Sequence, residues 1–314
     1  IKQTIFEDFE KDTTAAPGFI FPYTIANTNN PFFYKVYSSG NWNVCKNIDQ
    51  EKTCNLGLSG ITVTTNDSVA SFSIKMRNDK YNKPKKYYFD RIKILHNQKD
   101  SLQITINGII PETKNGLSYI ELNHETDSVY IKIEQQKGNF ELYGLILENS
   151  KTELNYHTFG VNGATTLSYL KCDYLSEQLQ LINPDLIIIS LGTNEAYDES
   201  FNALEHEYIL KDIIYQIQDI LPNTTILFTT INDHLKKDKS INPNIIDVNK
   251  NILNVCTEFK LPYWDLYSIM GGPNSIKEWY QKGLTGDDML HFRRLGYEIQ
   301  GELFSNALID FIRN

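Results

Sequence analysis

The chain has 314 residues, 41% hydrophobic and 22% charged, and a formal net charge of −9. That length allows one large core or two. The acidic balance, with no run of Lys or Arg, argues against nucleic acid as a partner, because phosphates need a basic footprint. No apolar stretch approaches the roughly 20 residues of a membrane-spanning helix. No signal peptide is visible, and the start "IKQTIFEDFEKD" lacks Met and reads as processed or truncated.

In chain order, the first residues predict a short helix with Ile1, Ile5, Phe6 and Phe9 on one stripe. Residues 34–149 then predict strands: "SGITVTT", "VASFSIKM", "RIKILHN", "LQITING", "YIELN", "VYIKIEQ" and "FELYGLILE". They are short, alternate in polarity and are separated by turn signals such as "NDS", "NQKDS", "TKNG" and "QKGN", the pattern of an antiparallel sandwich or jelly roll. Cys45 and Cys54 fall in this block and form a candidate disulfide, which implies an oxidising compartment.

Residues 150–314 alternate between helix and strand. "TTLSYLKCDYLSEQLQLI" predicts a helix and "DLIIISL" a strand. "EHEYILKDIIYQIQDIL" predicts a helix with Leu210, Ile213, Ile214, Ile217 and Leu221 facing a core. After the strand "TTILFTTI" comes a helix with Asn242 as N-cap and Pro243 at its first position. "YWDLY" predicts a short strand, and "RRLGYEIQGELFSNALIDFI" a closing helix. This order predicts an α/β, doubly wound parallel sheet made of residues 1–33 and 150–314, with the β block 34–149 inserted. Cys172 and Cys256 fall within predicted helices and read as buried small hydrophobes. No CxxC pair or His/Cys cluster has zinc-ligand spacing, so neither metal nor cofactor is expected.

Ligands of open parallel sheets bind beyond the carboxyl ends of the strands. There "PDLIIISLGTNEAYD" ends its strand in Gly192 and Asn194, and a side-chain amide so placed can donate to a developing oxyanion. In "GDDMLHF", Asp288 stands three residues before His291: the carboxylate can fix the tautomer of the imidazole, leaving the other nitrogen as a general base. "FGVNGATT" reads as a strand-to-helix turn, where the Gly163 N–H would be a second oxyanion donor. Asp233 and His234 form a competing pair, but they read as solvated surface in the charged loop "NDHLKKDKS". His206 reads as helix surface, His96 and His124 lie in the β block, and His157 has no role assigned by its context.

Taken in order, "GVNGATT", "GTNE" and "DDMLH" resemble blocks II, III and V of the SGNH/GDSL hydrolases. The resemblance implies Gly163 and Asn194 as oxyanion-hole donors, and Asp288 and His291 as the acid and base of a triad. Glu195 stands where many members have Asp. The "GTNEA" form, the "IMGGPNSIKEWY" segment and the inserted β block resemble a branch of bacterial peptidoglycan O-acetylesterases, in which the insert resembles a carbohydrate-binding module. This implies an O-acetylated glycan as substrate, peptidoglycan first, and a periplasmic or secreted location. Tyr34, Tyr37 and Trp42 would suit sugar stacking, and equally suit a core.

The GDS block with the nucleophilic serine is absent from the chain. Ser59 in "GLSGI" lacks the second glycine of an elbow and leads into a β pattern, and Ser190 reads as strand core. In the family this block ends the first, central strand of the sheet, so the strand and its serine are expected just upstream of Ile1. Two other readings stay open: a non-catalytic carbohydrate-binding protein on a hydrolase scaffold, and an esterase acting on another ester.

Overall fold

The structure is a computed structural model that describes residues 2–9, 13–28, 31–78, 85–97, 102–135 and 138–313. Ile1 of the predicted stripe and the turn residues 98–101 and 136–137 lie outside the described residues. The fold is mixed α/β and divides into two compact units: residues 2–161 with 172–174, and residues 162–171 with 175–314.

The first unit opens with helix α1 (Lys2–Phe9), followed by β1 (Thr14–Ala15), β2 (Gly18–Ile20), β3 (Tyr34–Ser39), β4 (Asn43–Lys46), β5 (Ile61–Thr65) and β6 (Val69–Met76). It continues through β7 (Lys86–Tyr87), β8 (Phe89–His96), β9 (Leu102–Ile106), β10 (Glu112–Lys114), β11 (Leu117–Thr126), β12 (Ser128–Gln135) and β13 (Phe140–Glu148). A seven-stranded sheet runs β10-β11-β8-β13-β5-β4, with β2 also paired to β13; a four-stranded sheet runs β3-β6-β12-β9. All these pairings are antiparallel.

The period-two patterning explains the smaller sheet. Ala70, Phe72, Ile74 and Met76 of β6 are buried with Val129, Ile131 and Ile133 of β12, while the alternate residues face outward. β13 is buried along almost its whole length, as a strand covered on both faces should be. Cys45 and Cys54 are joined by a disulfide, their Cα atoms 6.3 Å apart.

The opening segment, expected with the α/β part, belongs to this β-rich unit. Its strand β2 takes a place on β13, and Ile5, Phe6, Phe19, Ile20 and Phe21 are buried. Phe6 meets the rings of Tyr87 and Tyr156 edge-on. The stripe was legible, but its partner was not, because an apolar stripe does not name the surface that covers it.

The second unit contains α2 (Thr166–Leu170), α3 (Leu175–Ile182), β14 (Leu186–Ile189), α4 (Thr193–Tyr197), α5 (Ala203–Ile220), β15 (Thr225–Thr229), α6 (Asn244–Phe259), β16 (Tyr263–Trp264), α7 (Leu266–Met270), α8 (Ser275–Gln281) and α9 (Arg294–Arg313). β14, β15 and β16 form a parallel three-stranded sheet in that order. Leu210, Ile213, Ile214, Ile217 and Leu221 are all buried, and α5 packs on α6.

Three predicted boundaries shift. The helix predicted over 165–182 breaks between Leu170 and Leu175, so Cys172 lies in a connector rather than a helix. There the Asp173 carboxylate takes the Lys52 ammonium and the Leu56 amide, and the Tyr174 amide donates to the Leu56 carbonyl. These bonds outweigh a local helical preference. Helix α6 begins at Asn244, one residue later than predicted, with the Asn242 side chain accepting from the Asn244 amide. "YWDLY" keeps only two strand residues, because the Asp265 side chain accepts from the Ser268 amide and caps α7. Cys172 and Cys256 are both buried and in no disulfide, and burial pushes each thiol up to about 12.

Candidate active site

The strand β14 delivers the first group. After Ile189 the chain passes Ser190 and Leu191 and turns at Gly192, whose φ of 121° is accessible to glycine and strained for other residues. A Cβ on Gly192 would stand 2.8 Å from Ile231 Cγ2 and 2.9 Å from Val248 Cγ1. The glycine therefore lets α4 start close against the neighbouring elements.

Asn194, in the first turn of α4, donates from Nδ2 to the Ala164 carbonyl over 2.7 Å. That bond puts the amide beside Gly163, which is exposed at φ 86° in the turn ahead of α2. The same two segments are joined again by Glu195, whose Oε1 accepts from the Thr166 amide (2.7 Å) and hydroxyl (3.0 Å). A capping box between Thr165 and Ser168 fixes the start of α2. The structure thus ties Asn194 to Ala164, the residue after Gly163, and this bond uses one of the two N–H groups of the Asn194 amide.

Asp288 and His291 occupy the loop before α9. His291 Nδ1 lies 2.7 Å from Asp288 Oδ2, while Asp288 Oδ1 accepts the amides of Leu290 (3.1 Å) and His291 (3.2 Å). Partial burial would raise the Asp288 carboxyl, but the bonds from the His291 ring and these amides outweigh it, holding the group below its ordinary value. An ionised carboxylate accepts at Nδ1, so the proton sits there and Nε2 carries the free lone pair. The side chain of His291 is 65% exposed, so that lone pair can meet a substrate from solvent.

The loop is braced on several sides. Its tip closes through Met289 N to Gly286 O (3.0 Å) and Gly286 N to His291 O (2.8 Å). Asn232 Nδ2 donates to the Leu290 carbonyl (3.1 Å), and the Leu235 amide donates to that of Met289 (3.1 Å). Behind it, Phe292 stacks on Trp279 at 5.0 Å between centroids, and the Trp279 indole donates to the Met270 carbonyl. This accounts for the segment that runs from "IMGG" through the Trp to the Asp288 loop.

Asp233 and His234, expected on the surface, are buried. Asp233 accepts the Ile276 amide at 3.0 Å. His234 sits between the Asn232 carbonyl and the Asn242 amide, both 3.0 Å away, and stacks on Tyr197. Burial lowers the His234 ring, and the nearby charge of His291 lowers it further. His234 thus packs on α4, while the flanking Asn232 and Leu235 bond the His291 loop. His206, also expected on the surface, is buried beside Phe201 and Asn251. The Asn232–His234 brace was missed at sequence level, although "NDH" directly after the strand "TTILFTTI" was a usable signal, since strand ends line the crevice.

The remaining assignments divide. Ser59 is buried in the β-rich unit, its hydroxyl donating to the Ile61 and Tyr143 carbonyls, so it is closed to chemistry. Ser190 is not strand core: it is exposed one residue past β14, and its Oγ accepts from the Thr229 hydroxyl at 2.9 Å. His96 is buried in β8 between Ser118 and the Asn97 carbonyl. His157 stacks on Phe159 in the same unit, and burial pushes its ring down to about 4. No group of three or more potential metal ligands occurs among the described residues.

A strand that runs into a glycine and an amide, with a His–Asp pair on a later loop, suits acyl transfer. The chain belongs to the GDSL-like lipase/acylhydrolase family, whose profile matches residues 141–299, and is an ester hydrolase. No curated protein sequence matches it. A solved peptidoglycan O-acetylesterase shares its fold, with a TM-score of 0.81 and 20% identity over 99% of this chain and 85% of that one. A lipase/acylhydrolase from Enterococcus faecalis covers 46% of this chain and 71% of its own at 23% identity, with a TM-score of 0.38. An acetyl xylan esterase covers 49% of this chain and 78% of its own at 15% identity, with a TM-score of 0.37.

Proposed function

We propose that this protein is a serine esterase that removes O-acetyl groups from a glycan, peptidoglycan first. The observation that carries the reading is the 2.7 Å bond between His291 Nδ1 and Asp288 Oδ2, on an exposed loop braced from behind. A serine hydroxyl attacks the ester carbonyl and passes its proton to His291 Nε2, while Asp288 stays ionised and holds the imidazolium. The oxyanion takes hydrogen bonds from the Asn194 amide and the Gly163 N–H. The C–O bond to the sugar breaks, and the sugar oxygen leaves with the proton from His291. Water then attacks the acetyl-serine and gives a proton to His291; the bond from the serine oxygen to the acetyl carbon breaks, that oxygen takes the proton back from His291, and acetate departs.

The attacking serine belongs to a strand outside residues 1–314. What supports this is the edge of β14. Among the described residues that strand pairs only with β15, and its Leu186, Ile187 and Ile188 are half-buried. An apolar parallel strand with one unpaired side is a place for a neighbour. A strand there would end beside Gly192 and Asn194. The parallel sheet would then be doubly wound, and the β-rich unit would be a jelly-roll sandwich resembling a carbohydrate-binding module. The Cys45–Cys54 disulfide favours a periplasmic or secreted location. Among the described residues no helix is long and apolar enough to cross a membrane.

The test uses the full-length protein with p-nitrophenyl acetate and with O-acetylated peptidoglycan. Acetate release from both, lost in His291→Ala, is the expected result. Release from p-nitrophenyl acetate alone would keep the esterase and reject the glycan. No release from either, with a folded protein, would reject the enzyme reading.

A further inference from the structure

The four-stranded sheet of the β-rich unit presents an outward face that the esterase chemistry does not use. Tyr37 of β3, Ser73 of β6 and Tyr130 of β12 lie directly opposite one another in one row across three strands. The tyrosines are 60% and 46% exposed, and the serine between them is small. The row is about 10 Å across, from two interstrand spacings. Exposed tyrosines flanking a small residue offer flat faces with little to relax on binding, which is how aromatic side chains hold pyranose rings.

The next row is charged. Lys35 stands directly opposite Lys75, a like-charge cross-strand pair that a sheet normally avoids. Lys35, Tyr37, Lys75, Arg77 and Lys86 line a single cleft of about 490 Å³, a volume ordinary for ligand sites. The carboxylate lining it is Asp127, which is paired with Lys75. Lys35 and Lys86 are exposed and carry no ion pair among the described residues. In a chain of net charge −9, four cations gathered round one compensated carboxylate form a local well for anions.

We infer that this cleft binds a carboxylate-bearing glycan, with a sugar ring on Tyr37 and its carboxylate against Lys35 and Lys86. The tyrosine row favours a sugar over a bare polyanion, and the cations favour an acidic sugar over a neutral one. The inference stands apart from the esterase reading, because binding is read without turnover.

The probe is oligogalacturonate, compared with the same oligomer fully methyl-esterified, by calorimetric titration. The charged oligomer is expected to bind at least tenfold more tightly than the ester. The double variant Lys35→Glu, Lys86→Glu should lose at least tenfold and Tyr37→Ala several-fold, with thermal midpoint and p-nitrophenyl acetate turnover unchanged. If the charge-reversed pair perturbs folding, Lys35→Gln alone should still weaken binding measurably. Equal affinity for both oligomers, no binding of either, or full affinity in the variants overturns the assignment. So does duplex DNA or an anionic phospholipid vesicle binding as tightly as the glycan, with Tyr37→Ala having no effect.

Discussion

The Asn194 side-chain amide is hydrogen-bonded at 2.7 Å to the carbonyl of Ala164, thirty residues earlier in the chain. The bond fixes the side-chain amide against the residue that follows Gly163, before any substrate arrives. Preorganised donors of this kind act in the transition state without a reorganisation cost.

Removing that donor should therefore slow chemistry rather than weaken binding. For Asn194→Ala we expect kcat on p-nitrophenyl acetate to fall by about 10²–10³, with KM changed little. Steady-state kinetics at saturating substrate check this. A rise in KM at constant kcat would give Asn194 a role in ground-state binding instead.

Asp288 should be needed for tautomer and orientation. Asp288→Asn leaves the loop amides an oxygen acceptor, but no longer selects the proton at His291 Nδ1, and kcat should fall by at least about 10². Because the Asp288 carboxyl is held below its ordinary value, the wild-type pair should persist through the usual carboxylate range as pH falls. A pH–kcat/KM profile should therefore show no loss of activity from protonation of Asp288 across the usual carboxylate range.

Gly192 has a steric role. In Gly192→Ala the new methyl meets Ile231 and Val248 at under 3 Å, with φ at 121°. The strain should cost about 1–3 kcal/mol and lower the melting temperature by several degrees. It should also lower activity, since α4 carries Asn194. Thermal unfolding and kinetics on the same preparation separate the two losses.

The β-rich unit should weaken in acid through His157. Burial, and then the charges of Lys2 and Lys93, push its ring down to about 4, against about 6.5 when unfolded. The unfolded chain binds the extra proton between these values. The contribution is thus full above about pH 6.5 and is lost as pH falls toward 4, by up to about 3 kcal/mol. His157→Asn should flatten that part of the stability–pH curve in urea titrations.

Much of the fold was legible because its elements announce themselves locally. "VASFSIKM" and "FELYGLILE" are β6 and β13 to the residue, and the apolar stripe of α5 is buried at every predicted position. Local pattern failed where a distant group intervened. Asp173 broke the helix predicted over 165–182 by bonding Lys52 and Leu56, more than a hundred residues away. Of the three aromatics read as sugar platforms, Tyr34 is buried and donates to the Phe21 carbonyl, and Trp42 packs edge-on against Phe72 and Phe140; Tyr37 alone is exposed.

The sequence by itself determined the order of strands and helices and the identity of the chemical groups: an amide after a strand, and an Asp three residues before a His. Periodicity and spacing are properties of the local chain, and they survive without the rest of the molecule. Only the tertiary structure decided which groups share an environment. It buried Asp233 and His234 behind the His291 loop, where a charged stretch of sequence had suggested solvent. It moved the opening helix into the β-rich unit, and it gathered Lys35, Lys75, Arg77 and Lys86 around one cleft of an acidic protein. Burial and electrostatic potential are sums over neighbours in space, and a net charge of −9 cannot say where its minority of cations will meet.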